Sequence, residues 1–315
     1  MTFPIQYLRF ICLCLLGAGG LFIFSASRRY QLKAALIGFA LAMPLGFIAA
    51  KAGYLCFRLL PQLSRWGIQA LVLPRADSFS FVCGCAGVTL ALALGAKITN
   101  VQPGEMLIRF APYGAVLTAC FRAAEHWLGT LGAGALLPEG HWAAGTFLAL
   151  RNSWDEWHGA VCVWEAAFAL LCAILALTLW KRREDCFART ALVLCCGQMF
   201  FELMRANTAA WRFVRTDQLW CAVILLGFAV ATLVRSRKWL PLCVTALLLI
   251  FNAYLQFALD KPEVLTADLP AVLHPWAEQN IKPICHTGFI LTSVGLWRSA
   301  CQSLKGIYSP SRNIR

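Results

Sequence analysis

Lys51, Arg122, Glu125, Glu165 and Glu202 sit inside or at the ends of strongly apolar stretches of the chain. A charge held in hydrocarbon costs on the order of 3 kcal/mol or more unless it is paired or wet. Several such charges at one depth point to a polar chamber among apolar helices. Residues three apart share a helix face, so Arg122 can pair with Glu125 and Glu202 with Arg205. Guanidinium forks bind phosphate bidentately, and in low dielectric they stabilise charge that develops on a leaving phosphate. A carboxylate nearby orients those forks or takes a proton. The chemistry on offer is recognition of an anionic headgroup, with Arg122 and Glu202 among the charges that would meet it. Lys51, Glu125, His126, Glu165 and Arg205 surround the bound group. Arg58, Arg205 and His158, each taken singly, also read as helix ends, where long side chains snorkel toward water. Glu165 has no such stem, and a long apolar run to Trp180 follows it. Arg109 reads as an interfacial anchor.

The elements that must position these residues are membrane helices. Of the 315 residues 60% are hydrophobic and 14% charged, and the mean hydropathy is +0.66. A soluble domain carries roughly 25% charged residues. Apolar stretches recur at about 10–27, 34–60, 79–98, 105–128, 159–180, 188–204, 218–234, 239–258 and 281–297. Each is long enough, or nearly so, to cross a hydrocarbon core of about 30 Å at about 1.5 Å per residue. The expected fold is an all-α polytopic bundle of about nine spans. Residues 1–238 are expected to form the main membrane domain, and residues 239–315 an additional helix pair with a tail.

The net charge of +13 is a topology signal, which argues against nucleic acid as a partner. Basic residues cluster on alternate loops: Arg28, Arg29 and Lys33; Lys97; Lys181, Arg182, Arg183 and Arg189; Arg235, Arg237 and Lys238; then Arg298, Lys305, Arg312 and Arg315. Asp155, Glu156, Asp260, Glu263 and Asp268 gather on the loops between. The positive-inside rule then sets the amino terminus outside and the carboxyl terminus in the cytoplasm. With this orientation Lys51, Arg122, Glu165, Glu202 and Arg205 fall under the outer leaflet. The first span is read as a retained helix, because Arg28 and Arg29 follow it where a secretory leader carries its charge in front.

Most of the fifteen cysteines lie within spans and read as small hydrophobes. Cys83-Gly84-Cys85 lacks a matching pair or a nearby histidine, so no metal is expected, and no nucleotide or dinucleotide motif implies a cofactor. Between Thr130 and Trp157, four glycines accompany Trp142, Trp154 and Trp157. Tryptophan favours the membrane interface, so this segment can lie as an arm over the chamber.

The order of motifs resembles prolipoprotein diacylglyceryl transferase, the bacterial plasma-membrane enzyme that moves a diacylglyceryl group from phosphatidylglycerol to a lipobox cysteine. Ala50-Lys51-Ala52-Gly53-Tyr54 is similar to a family Gly-Arg-x-Gly-Tyr stretch, and Ser80-Phe81-Val82-Cys83-Gly84 to Ser-Phe-His-Gly-Gly. Phe121-Arg122-Ala123-Ala124-Glu125-His126 falls where the Gly-Arg-x-Gly-Asn-Phe signature stands. His158 with Trp164-Glu165 echoes a His-Pro-Ser-Gln-x-Tyr-Glu element, and the segment from Gln198 through Glu202 to Arg205 matches Arg-x-x-x-Glu-x-x-Arg. Asp217-Gln218-Leu219 resembles the opening of the following family helix. The resemblance runs over about residues 10–236, seven of the nine spans.

It implies an anionic phospholipid such as phosphatidylglycerol as ligand, a lipobox preprotein as acceptor, and no cofactor. Val82 stands at the family's key histidine, Gln198 at its distal arginine and Glu125 at its signature asparagine. Two other readings therefore accompany the transferase one. They are a non-catalytic lipid-binding paralogue and a small-molecule transporter.

Overall fold

The computed structural model describes residues 3–26, 29–72, 75, 77–180, 184–206, 210–211, 214–261, 263 and 274–308. Arg28, Lys181, Arg182, Arg183, Asp268, Arg312 and Arg315, which enter the charge pattern, lie outside these residues. The chain is dominantly helical. α1 (Ile5–Cys14) continues through a π turn at Leu15–Gly19 into α2 (Gly20–Ser25). Then come α3 (Arg29–Trp66), α4 (Gln69–Val72), α5 (Phe81–Ile98), α6 (Pro103–Ala124), α7 (Val161–Thr178) and α8 (Cys186–Met204). α9 (Thr216–Ser236), α10 (Leu240–Asp260) and α11 (His274–Tyr308) complete it. Strands β1 (Ala133–Leu136), β2 (Ala149–Arg151) and β3 (Trp157–Ala160) form an antiparallel sheet in the order β1-β3-β2 between α6 and α7.

Among the described residues seven helices are long and apolar enough to cross a membrane. The α1–α2 run, α3, α5, α7, α8, α9 and α10 make up this set. The stretches expected at 105–128 and 281–297 form α6 and α11, which fall outside it. α6 carries Glu105, Arg109 and Arg122, and α11 carries Lys282, Arg298 and Lys305.

By contacts the chain divides into two compact units, Met1–Leu194 with Met204–Ala209, and Cys195–Leu203 with Ala210–Arg315. In the first unit the interior is built from small residues and the outside from large apolar ones. Ala34, Ala35, Ala91, Ala96, Ala115, Ala169 and Cys172 are buried, whereas Leu13, Leu16, Phe24, Ile48 and Ile174 are exposed. Lipid is as apolar as leucine, so helices gain by close backbone approach and not by hiding large side chains. The closest approach joins α3 and α5. A Cβ on Gly87 would sit 2.5 Å from the Leu45 carbonyl oxygen, and one on Gly95 2.5 Å from the Gly38 nitrogen. Next to the Gly95 contact, Phe22 meets Phe110 edge-on at 5.2 Å within a core that includes Leu92, Met106 and Leu117.

The second unit uses the same rule with polar glue. Gly288 and Gly295 of α11 receive Leu255 and Leu248 of α10. Thr245 and Ser299 share a hydrogen bond of 2.9 Å, and Asn252 donates to the Thr292 hydroxyl at 3.2 Å. Each such interhelical bond contributes about 0.6 kcal/mol in a membrane protein.

Gly87→Ala and Gly95→Ala should each lower stability by about 1–3 kcal/mol, because backbone atoms stand where the methyl must go. Gly227→Ala in α9, where nothing lies within 4 Å of the new methyl, should leave it unchanged or raise it. Thermal unfolding of the detergent-purified protein, followed by loss of the monodisperse peak, distinguishes the two classes.

Candidate functional site

Four of the ionisable side chains singled out in the sequence meet in one place. Arg122 occupies the last turn of α6, and Glu125 opens the short 3-10 segment Glu125–Gly132 that follows. Glu165 lies in the second turn of α7. Arg205 stands one residue past the end of α8, off the helix. Nη1 of Arg122 pairs with Oε1 of Glu125, the i to i+3 pair expected from their spacing. Nε of Arg122 lies 3.2 Å from Oε2 of Glu165. Arg205 reaches the same carboxylate through Nη2 and through Nε at 3.0 Å. Its Nη2 also meets Oε2 of Glu125 at 2.5 Å. The result is a closed ring of alternating charge, Arg122–Glu125–Arg205–Glu165.

The ring is packed shut. The side chains of Arg122 and Glu165 are 3% exposed, Arg205 5% and Glu125 13%. The guanidinium of Arg122 lies 3.7 Å from the ring centroid of Phe81, so an aromatic face covers one side. Two guanidiniums and two carboxylates sum to zero formal charge. An open, wet chamber was expected at these residues, but opposite charges drawn this close satisfy one another and leave little surface for water. Arg205 further ties the ring to backbone. Its Nη1 donates to the Leu131 carbonyl at 3.0 Å, and the next residue, Ala206, donates its N–H to Ala133 at 2.9 Å.

The remaining residues are placed by other elements. Lys51 is buried on α3 and donates to the Ser78 hydroxyl at 2.9 Å, with Nζ 5.4 Å from the centroid of Phe79. The loop that holds it is fastened to α3 by Ser80, whose N–H donates to the Ala50 carbonyl at 2.9 Å. The segment from Phe79 to Phe81 therefore carries an aromatic platform for Lys51 at one end and for Arg122 at the other. Glu202 is buried in the stretch of α8, Cys195–Leu203, that belongs to the second unit, and accepts from Gln198 at 2.9 Å. His126 is half-buried with its ring edge-on to Trp127. His158, on β3, is fully engaged: Nδ1 is 3.1 Å from the Gly134 carbonyl, which must accept, so Nε2 accepts from Asn152 at 3.1 Å. It holds β3 to its neighbours.

The arm expected between Thr130 and Trp157 is the β-sheet excursion, with Trp142, Phe147 and Trp154 strongly exposed. Among the described residues no group of histidine, cysteine, aspartate and glutamate is placed to hold a metal ion. The sequence reading missed Phe81, Ser78 and the Leu131 carbonyl. Phe81 stands inside a quoted motif, but an aromatic residue there carries no mark of a cation above it, and a carbonyl has no side-chain signal at all.

Comparison with known proteins returns nothing: no family model, no curated protein and no solved structure matches the chain. The likeness to the diacylglyceryl transferases rests on the ordered motifs alone.

Removing one member of a buried ion pair strands its partner and costs about 3–5 kcal/mol. Glu165→Gln and Arg205→Gln should each show a loss of that size in denaturant or thermal unfolding. The double variant should lose less than the sum, because no charge is then left uncompensated. Additive losses would mean that the ring does not act as a unit.

Proposed function

We propose that this chain is a multi-pass protein of the bacterial plasma membrane built on a diacylglyceryl-transferase-type scaffold. It has nine spans, an external amino terminus and a cytoplasmic carboxyl terminus. Its ligand is an anionic phospholipid of the phosphatidylglycerol kind, and its acceptor is the cysteine thiolate of a lipobox preprotein. What supports the reading is the convergence of Arg122, Glu125, Glu165 and Arg205. These residues come from three of the separated motifs that carry the resemblance.

In the reaction, the thiolate sulfur attacks the glyceryl carbon that bears the phosphate. A C–S bond forms, the C–O bond breaks, and glycerol phosphate leaves with the electron pair. Arg122 would hold the phosphate, Glu165 would orient it, and Lys51 and Arg205 would set the local potential. For Arg122 to take a phosphate, Glu125 must yield its place, and Glu125 is the most exposed member of the ring.

A second reading, lipid binding without turnover, is favoured by two observations. Val82 is a buried hydrocarbon where a proton-handling group would be needed. Glu125 already supplies the anion that a headgroup would bring to Arg122.

Purified protein in phosphatidylglycerol nanodiscs with a lipobox peptide should release glycerol phosphate in step with thioether formation. Arg122→Gln should reduce the rate by about 100-fold or more, the scale of losing one charge-stabilising donor. If the parent chain is silent and Val82→His with Gln198→Arg gains turnover, the protein is the non-catalytic binder. Silence from both, beside a working transferase, removes the transferase reading altogether.

A further inference from the structure

The Arg122 ring has no net charge with which to attract an anion, but a second polar cluster does. Positions 51, 54 and 58 of α3 follow one another on a single helix face, and Ser78 and Ser80 bind α3 at Lys51 and Ala50. Lys51 donates to Ser78, and the Ser78 hydroxyl passes its own proton to the Arg75 carbonyl at 2.8 Å. Tyr54 is buried, and its phenol oxygen accepts from Gln62 at 2.8 Å, which leaves the phenol hydrogen to donate. Arg58 was read from the sequence as a snorkelling helix end. Its Nε is buried and meets no hydrogen-bond partner among the described residues. Arg75 lies 4.4 Å from the centroid of Trp66, which fixes the plane of its guanidinium.

Tyr54 is within electrostatic reach of Arg58, Arg75 and Asp77, and Lys51 of Arg75 and Asp77, so these groups form one neighbourhood. Its charge is unbalanced. Among the described residues the carboxylate in this neighbourhood is Asp77, which pairs with Arg75 at 3.3 Å. Asp77 is the only acid in the first 104 residues. Three cations against one acid leave an excess of two positive charges around a buried phenol and a buried ammonium. Asp77 already takes Nε and Nη2 of Arg75, at 3.3 and 3.4 Å, so Arg75 offers a phosphate its remaining N–H groups, Arg58 its guanidinium, Tyr54 its phenol hydrogen and Lys51 a point charge.

We propose that Lys51, Tyr54, Arg58 and Arg75 form a phosphate-binding site. The ligand is either the phosphodiester of an anionic lipid headgroup or the same chemistry as free phosphate. The proposal deepens the lipid-binding reading and rests on it for the membrane source of the ligand. It places the recruitment of the anion on α3 and its loop, apart from the self-neutralised ring.

The test is native mass spectrometry of the full chain with phosphatidylglycerol, with phosphatidylcholine, and with phosphatidylglycerol plus inorganic phosphate. The parent chain should retain phosphatidylglycerol over phosphatidylcholine. Arg58→Gln and Arg75→Gln should each reduce that preference about fivefold, the scale of one basic residue near an anionic headgroup. Arg58→Lys should restore most of it, and Lys97→Gln, an exposed charge at the far end of α5, should leave it intact. Competition by inorganic phosphate supports a site for the bare group, and its failure to compete supports one specific for the lipid diester. If both glutamine variants bind phosphatidylglycerol as the parent does, this site is wrong while lipid binding stands. If the parent shows no preference between the two lipids and no uptake of phosphate, the lipid reading falls as well.

Discussion

Two guanidiniums and two carboxylates taken out of water must neutralise one another, and that requirement organises the middle of the first unit. Each ion withdrawn from solvent costs several kcal/mol, returned only when the geometry is good and the spare hydrogen-bonding positions are filled. The end of α6, the start of α7 and the chain just past α8 therefore have to converge. Arg205 does this from outside its helix, and so depends on the backbone for placement. Leu131 accepts from its guanidinium and Ala133 from the neighbouring N–H, so the sheet between α6 and α7 is moored to the same charges. His158 and Asn152 complete the mooring within the sheet.

The helices that carry the ring are held by a different force. With lipid outside, burial of large side chains is no reward, and the tight contacts are made by glycine and alanine. The α3–α5 pair shows the consequence. Its backbones approach so closely that the residues just beyond, Phe79 to Phe81, are delivered to a fixed position at the start of α5. Ser80 caps that helix by accepting from the Cys83 N–H and at the same time donates its own N–H to α3. One three-residue segment thus inherits its precision from helix packing and passes it to both Lys51 and Arg122.

Much of this was legible in the sequence, because the signals were of the kind that survive without an alignment. A charge inside an apolar run is conspicuous, and the spacing of Arg122 and Glu125 leaves them no choice but one face. Glu165 could be singled out because a carboxylate there has no stem with which to escape. What was not legible depended on closure in three dimensions. Nothing in the spacing says that Arg205 leaves its helix to bridge Glu125 and Glu165, or that the ring excludes water. The arm was expected from its glycines and tryptophans, but its β-pairing follows from strands of three or four residues, too short for alternation to show.

The placement of charge separates two tasks that the sequence presents as one. A ring that sums to zero holds elements together and has no field with which to gather anions. A cluster with a positive excess has that field but, around Lys51, no spare carboxylate to move a proton, since Asp77 is engaged with Arg75. Glu125 is the residue on which the two descriptions meet. In the resembling family a neutral asparagine falls at this position, and here a carboxylate occupies the fork of Arg122. Glu125 sets a negative charge beside Arg122 and Arg205, which lowers the pull of those guanidiniums on a phosphate and leaves Lys51, Arg58 and Arg75 untouched. If an anionic headgroup is this chain's ligand, the balance of charge favours α3 as the element that receives it first.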